Sequence, residues 1–214
     1  MERACFLALA LSLAACDPPA PPPLLTPSAL PAGAQRHRCT SVYDGDTLTL
    51  EGGQKVRLLA VDTPELKEHE PFAPEARDFT RRACQGKDVW LEFDTEREDR
   101  YGRWLCYVYA SDGGPPLMVN AELLRQGLAR FYTPGANLKH ADRLLACQRE
   151  ARENGRGSWK DYVLARPKTV VATKSGHAYH RPDCREIQGS KGLRSIDEKE
   201  ALDAGLSRCR SCKP

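Results

Sequence analysis

Apolar and polar residues alternate over residues 38–50, where Val42, Thr47 and Thr49 are β-branched. That two-residue period is the signature of a half-buried strand. Glu51-Gly52-Gly53 then turns the chain into a second apolar run over residues 55–61, and the two runs predict a β-hairpin. Residues 88–93 predict another strand, with Val89, Leu91 and Phe93 on one face, and residues 105–109 a further one after the turn-like Asp99-Arg100-Tyr101-Gly102. Elsewhere the spacing is helical. Pro74 opens a segment in which Ala76, Phe79 and Ala83 recur on one side. Asn120 stands where a cap would start a short helix carrying Leu123 and Leu124, with Gly127 at its end. Residues 140–154 put Ala141, Leu144, Leu145 and Ala151 on one stripe, and Gly155 stops it. Strands, helix, strands, helix, helix is the order of an α+β barrel with helices packed on it, such as an OB-fold.

The N-terminus follows another pattern. Arg3 precedes an apolar stretch over residues 4–13, which ends in Leu13-Ala14-Ala15-Cys16. A basic start, a short apolar segment and small residues at a cut site describe an export signal over residues 1–15. Leu-Ala-Ala-Cys resembles a bacterial lipobox, which implies that Cys16 becomes the lipidated first residue; simple cleavage near Ala15 is the alternative. Residues 16–37 hold Pro18, Pro19, Pro21, Pro22, Pro23, Pro27 and Pro31, a composition that resists helix and sheet and favours an extended tether. No apolar run approaches the roughly 18–20 residues that span a bilayer. The expected location is therefore the bacterial cell envelope, periplasm-facing or surface, held by a lipid rather than a spanning helix, or otherwise secreted.

The chain has 214 residues, 41% hydrophobic and 29% charged, enough for one buried core with small appendages. Its formal charge is +3. Residues 168–214 hold ten Lys/Arg against six Asp/Glu, or +4, so the rest of the chain carries −1. The main body is not a broadly basic nucleic-acid cradle, and phosphate binding there must come from local placement. Of nine cysteines, Cys5 leaves with the signal, Cys16 would carry lipid, and Cys184, Cys209 and Cys212 share a metal-like spacing. Cys39, Cys84, Cys106 and Cys147 remain, an even set that permits two disulfides in an oxidising compartment or buried thiols, Cys106 lying in an apolar strand.

Three segments concentrate charge where a fold alone would not ask for it: Asp44-Gly45-Asp46-Thr47, the run from Arg57 to Glu65, and Asp99-Arg100-Tyr101-Gly102-Arg103. Asp46 and Asp62 offer hard oxygen ligands to a cation such as Ca²⁺. Arg57 sits inside an apolar strand, where a guanidinium is costly unless it meets an anion, and its donors match phosphate oxygens. Arg103 follows a glycine turn and could reach the same phosphate from another side. Glu65, just past Thr63-Pro64, could take a proton from water. Each segment also has an ordinary reading: a turn, a structural ion pair, a helix entry.

Together these segments resemble the staphylococcal nuclease (thermonuclease) family. The resemblance covers about residues 39–159 and includes Asp-Gly-Asp-Thr, Val-Arg-Leu-Leu-Ala-Val-Asp-Thr-Pro-Glu, Tyr-Gly-Arg, Met118-Val119-Asn120, Gly127-Leu128-Ala129 and Gly157-Ser158-Trp159. It implies an OB-fold with a five-stranded barrel and three packed helices over residues 38–165, and calcium-dependent hydrolysis of phosphodiester bonds in DNA or RNA. It implies Asp46 and Asp62 as calcium carboxylates, Thr63 as a backbone ligand, Glu65 as general base, and Arg57 and Arg103 as phosphate-binding arginines. Arg100 matches a basic residue that touches a terminal phosphate. Tyr132 best matches a substrate-stacking tyrosine, with Phe131 the second choice, because the 129–134 stretch is shortened. The implied products end in 3′-phosphate and 5′-hydroxyl. The rival from another class is a nucleic-acid-binding OB module without catalysis. A monomer is expected.

Residues 168–214 carry a second pattern, His180-x3-Cys184 and Cys209-x2-Cys212. Two pairs of nitrogen and sulfur donors suit a closed tetrahedral Zn²⁺ site, and a unit so poor in large apolar residues would gain from such a staple. A disulfide and disorder are the alternatives. The segment resembles the small zinc-binding domain of the alkylation-repair regulator Ada, through Tyr179-His180-Arg181-Pro182-Asp183-Cys184 and the closing Cys-x2-Cys-Lys-Pro.

If Cys16 carries lipid, the wild-type protein should partition with membranes, and Cys16→Ser should abolish labelling by a radioactive fatty acid. Absence of lipid on the wild-type protein would leave simple secretion.

Overall fold

The computed structural model describes residues 29–132, 135–137, 139–162 and 168–214. The segment expected to be an export signal, Cys16 and most of the Pro-rich stretch expected to be a tether lie outside the described residues.

Five strands close into a barrel. They are β1 (Gln35–Val42), β2 (Thr47–Leu50), β3 (Lys55–Leu58), β5 (Asp88–Glu98) and β6 (Trp104–Ala110), the short β4 (Val61–Asp62) intervening in the chain. The order β3-β2-β1-β5-β6 returns on itself because β3 also pairs with β6, in parallel. β7 (Leu117–Met118) extends β6, and β4 pairs with β8 (Arg130–Phe131) as a separate ribbon. Leu48, Leu50, Val56, Leu58, Val89, Leu91, Cys106 and Val108 fill the interior, each fully or almost fully buried. This is the OB-type barrel that the alternating pattern predicts. One difference matters for the site: the run over residues 38–50 is two strands, because Asp44-Gly45-Asp46 breaks it into a turn between β1 and β2.

Three helices cover the barrel. In α1 (Ala73–Cys84) Ala73, Ala76, Phe79, Thr80 and Cys84 face inward, Glu75 lies in the first turn and Arg81 and Arg82 in the last, complementing the helix dipole. In α3 (Ala141–Glu153) the buried stripe is Leu144, Cys147, Gln148, Ala151 and Arg152. Its polar members have duties: Gln148 Oε1 accepts from Phe131 N at 2.8 Å and Arg152 Nη2 reaches Asp203 Oδ1 at 2.6 Å.

Asn120 is not a cap. It lies inside α2 (Val119–Arg125), fully buried, where its side chain accepts from Val108 N at 2.9 Å and donates to Leu59 O at 2.8 Å. Both backbone groups sit at places where the barrel ladder gives way to the β3–β4 connection, so an amide that both donates and accepts satisfies them together. Gly127 and Gly157 bring two backbones together: a Cβ on Gly127 would stand 2.1 Å from Arg156 O. That approach seats Trp159, which is fully buried.

The C-terminal residues form a second sheet, ordered β11-β9-β10-β12 from β9 (Thr169–Ala172), β10 (Ala178–His180), β11 (Arg194–Asp197) and β12 (Ser207–Arg208), with α4 (Glu198–Asp203). Its apolar core is larger than its own composition promises. Val170, Tyr179, Ala201 and Leu202 cluster with Ala151 and Trp159 of the preceding part. Among the described residues no helix is long and apolar enough to cross a membrane.

All seven described cysteines are free and buried. Burial pushes the thiols of Cys39 and Cys147 up to about 11.

Asn120→Leu should strand the Val108 amide and the Leu59 carbonyl at once. Two unsatisfied buried groups cost roughly 2–6 kcal/mol together. Urea unfolding of the variant should show the loss in the midpoint without a change in slope.

Candidate nuclease site and a Cys/His cluster

The first part of the site is a turn with no room for a side chain. A Cβ on Gly45 would stand 2.6 Å from Thr63 Cγ2 and 2.9 Å from Ala76 Cβ, so α1 and the segment after β4 press directly on this backbone. Thr80 Oγ1 holds Gly45 O at 2.7 Å, and Asp44 Oδ1 accepts from Asp46 N at 3.1 Å. Asp46 is thereby fixed with its carboxylate turned inward, 5% exposed. Its Oδ2 accepts from Thr63 N at 2.9 Å and Thr63 Oγ1 at 3.0 Å.

Arg57 reaches the same carboxylate from β3. One nitrogen, Nη2, lies 3.1 Å from Asp46 Oδ2 and 3.3 Å from Asp62 Oδ1. The other, Nη1, donates to Leu58 O at 2.9 Å and Val61 O at 2.8 Å. A single guanidinium nitrogen bridging two carboxylates marks a place where two negative charges converge and positive charge is favoured. A hard cation fits that donor set: two carboxylates, with carbonyls and water to complete the shell of an ion that takes six to eight oxygens.

Glu65 precedes a 3-10 turn over Leu66–Glu68. Its amide donates to Glu70 Oε2 at 2.9 Å. Burial first, and then the charges of Asp46 and Asp62, raise its carboxyl above the usual range, while Arg210 and Arg57 pull it back. A raised carboxyl is a stronger base when ionised. Asp44 behaves alike: burial first, then the Asp46 charge, push it up to about 6.

Arg103 stands at the mouth of the β5–β6 hairpin. Arg57 is paired with Leu105 across the parallel β3–β6 ladder, so Arg103 lies one side-chain repeat from it, just before the neighbouring strand. Asp99 positions Arg103: Nε donates to Oδ2 at 2.8 Å and the Arg103 amide to Oδ1 at 3.1 Å. Burial raises the Asp99 carboxyl, but hydrogen bonds from Arg103 and Tyr101 outweigh it and hold the group below its ordinary value. Arg57, Arg100, Arg103 and Tyr132 line one cleft of about 580 Å³, as do Glu96, Glu98 and Asn137. Arg100 is exposed and donates to Tyr101 Oη at 2.7 Å.

The structure thus brings Asp46, Asp62, Thr63 and Arg57 into one contact set, leaves Glu65 near enough to feel the charges of Asp46 and Asp62, and puts Arg103, Arg100 and Tyr132 with Arg57 in one cleft. Phe131, the second choice for stacking, is excluded: it is 4% exposed in β8 and belongs to the barrel core. Strand alternation explains the split, since adjacent residues of a strand face opposite sides. One residue escaped the sequence reading. Arg210 lines the same cleft and pairs with Asp62; nothing in a Cys-Arg-Ser-Cys stretch announces that its arginine will meet a carboxylate 148 residues away.

The second cluster is at the far end of the chain. The ligand atoms of His180, Cys184, Cys209 and Cys212 all lie within 4.8 Å of one another. His180 Nδ1 is buried with no hydrogen-bond partner. An orphaned buried ring nitrogen beside three sulfurs is the chemistry of a metal centre, and tetrahedral N/S coordination accommodates these separations. The donor for Cys212 Sγ is Arg181 N at 3.3 Å, the kind of amide that supports a thiolate.

Comparison with known proteins finds a matching family and several relatives. A family model described as staphylococcal nuclease homologue matches residues 55–161; the Asp44-Gly45-Asp46 turn lies just before that stretch. The chain is 35% identical to a thermonuclease of Staphylococcus hyicus over 139 residues, 61% of this chain and 79% of that protein. It is 38% identical to a thermonuclease of Staphylococcus intermedius over 128 residues, 56% and 73% of the two chains. Endonuclease YncB of Bacillus subtilis is 37% identical over 125 residues, 54% of this chain and 57% of that one.

Proposed function

The chain belongs to the staphylococcal nuclease family, and on that premise we propose that it is a calcium-dependent nuclease that hydrolyses phosphodiester bonds in DNA or RNA. The observation that carries the reading is the Asp46–Arg57–Asp62 bridge beside a carboxylate of raised basicity, Glu65. A structural ion pair alone would not need a second carboxylate and a base next to it.

In this reading Asp46 and Asp62 hold Ca²⁺, with Thr63 lending backbone oxygen. The bound ion would supply Lewis-acid stabilisation of charge on a phosphoryl oxygen. Glu65 takes a proton from water, whose oxygen attacks phosphorus as the bond to the 5′-oxygen breaks. Charge grows on the equatorial oxygens, where Arg57 and Arg103 donate, and the 5′-oxygen leaves as a hydroxyl once it gains a proton from solvent. The products carry 3′-phosphate and 5′-hydroxyl. Because these donors are held by Asp99 and by the Leu58 and Val61 carbonyls beforehand, they need little reorganisation as charge develops. Tyr132 offers a face for a base, and Arg100 a contact for an outlying phosphate.

We read the Cys/His cluster as a structural Zn²⁺ site. Four protein ligands leave no open position for catalysis. The sequence supports export and lipidation at Cys16, which would tether the enzyme to the envelope. A monomer suffices, since every group invoked comes from one chain.

Single-turnover cleavage with parallel substrate-affinity and melting measurements tests the assignment. Arg57→Ala and Arg103→Ala should each lower turnover roughly 10²-fold or more, with lysine rescuing poorly because it lacks the planar fork. Glu65→Gln should lower turnover while substrate binding survives. Near wild-type turnover in both arginine variants would end the active-site assignment and favour a nucleic-acid-binding module without catalysis.

The purified protein should hold about one Zn²⁺, and Cys209→Ser with Cys212→Ser should release it. Metal analysis without zinc, with those cysteines joined to each other, would favour a disulfide.

A further inference from the structure

The segment between the last two cysteines enters the nuclease cleft. Arg210 forms an ion pair with Asp62 through Nη2, and its guanidinium carbon lies 4.4 Å over the ring of Tyr132. It lines the same cleft as Arg57 and Arg103. The root of this arm is fixed. Cys209 and Cys212 flank it within the Cys/His cluster, and Lys213 N closes the turn on Cys209 O at 2.9 Å. Lys213 Nζ then clamps the turn to the barrel side, 2.6 Å from Glu68 and 2.7 Å from Glu70. Glu70 is the residue that accepts from the Glu65 amide, so the C-terminal unit grips the loop carrying the proposed base.

We propose that Arg210 is a substrate-binding residue of the nuclease cleft, a guanidinium delivered by the C-terminal unit to a phosphate of the bound strand. The proposal rests on the nuclease reading above. Its side chain is 54% exposed, so the pair with Asp62 is open to solvent and worth little as a fold contact. Asp62 is also a carboxylate offered to the cation. A cation on that oxygen would displace the guanidinium, which would stay stacked on Tyr132 in a cleft also lined by Arg57 and Arg103. A phosphodiester in the cleft would then offer the anion that Asp62 no longer supplies. Stacking on Tyr132 limits the guanidinium's freedom, which lowers the entropic cost of the contact.

The test uses the full chain carrying Glu65→Gln, so that substrate binds without being cut, with Ca²⁺ at saturation. Affinity for a fluorescent single-stranded DNA is measured by anisotropy across a salt series, and Ca²⁺ binding by calorimetry. Adding Arg210→Ala should weaken DNA binding roughly tenfold and reduce the salt slope by about 0.7, one phosphate contact on a single strand. Arg210→Lys should restore the slope but only part of the affinity. Lys191→Ala, which removes a charge of the same unit outside the cleft, should change neither. Zinc content and melting show whether each variant is folded, and Arg210→Gln provides a neutral replacement of similar length. Unchanged DNA affinity and slope in Arg210→Ala and Arg210→Gln would overturn the proposal. So would tighter Ca²⁺ binding with unchanged DNA affinity, which would make Arg210 only a plug on Asp62. If the parent chain binds no DNA at all, the nuclease reading falls and this one with it; if the parent binds and only the Arg210 variants show no effect, the nuclease reading stands alone.

Discussion

The structure depends on where two carboxylates are allowed to meet. Asp46 comes from the turn between β1 and β2 and Asp62 from β4, and a single nitrogen of Arg57 stands between them. Asp46 and Arg57 are each held in place by their surroundings. The Asp46 turn requires glycine because Thr63 and Ala76 close over it. Arg57 spends its second nitrogen on two carbonyls of the β3–β4 connection. Two like charges brought together repel, and a positive charge between them offsets that repulsion. In this structure Arg57 supplies it.

The fold's other devices serve the same end. The parallel β3–β6 pairing closes the barrel and sets Arg57 beside the hairpin that carries Arg103. Asn120 ties the end of β3 to β6 from inside the covering helix, using one amide for two orphaned backbone groups. The Gly127–Gly157 approach seats Trp159, and Trp159 is also where the C-terminal sheet finds its core. The Cys/His unit is therefore built onto the nuclease part through shared packing, which lets Arg210 reach Asp62.

Much of this was legible in the residues. Alternation gave the strands, and the helical stripe of α3 followed from Leu144 and Ala151. The spacing of His180, Cys184, Cys209 and Cys212 anticipated their convergence. What local pattern could not give was context. Asn120 beside a helix start looks like a cap, and only the barrel behind it makes it a buried cross-link. Asp44-Gly45-Asp46 could be read as a turn, but only the structure shows that it splits the 38–50 run, where α1 presses on Gly45. Phe131 and Tyr132 are neighbours of similar type, and the side each faces is decided by the pairing of β8 with β4. Arg210 had no signal, because its partner depends on how two units dock.

The central claim is that Asp46 and Asp62 form a cation site that turns the cleft into a nuclease. The most direct measurement is Ca²⁺ titration of the metal-stripped chain, following heat of binding and plasmid cleavage together. The account predicts that cleavage rises with Ca²⁺ occupancy, that a chelator of hard cations removes it, and that Asp46→Ala weakens both in step. Full cleavage after exhaustive chelation, or Ca²⁺ binding indifferent to Asp46→Ala, would contradict it.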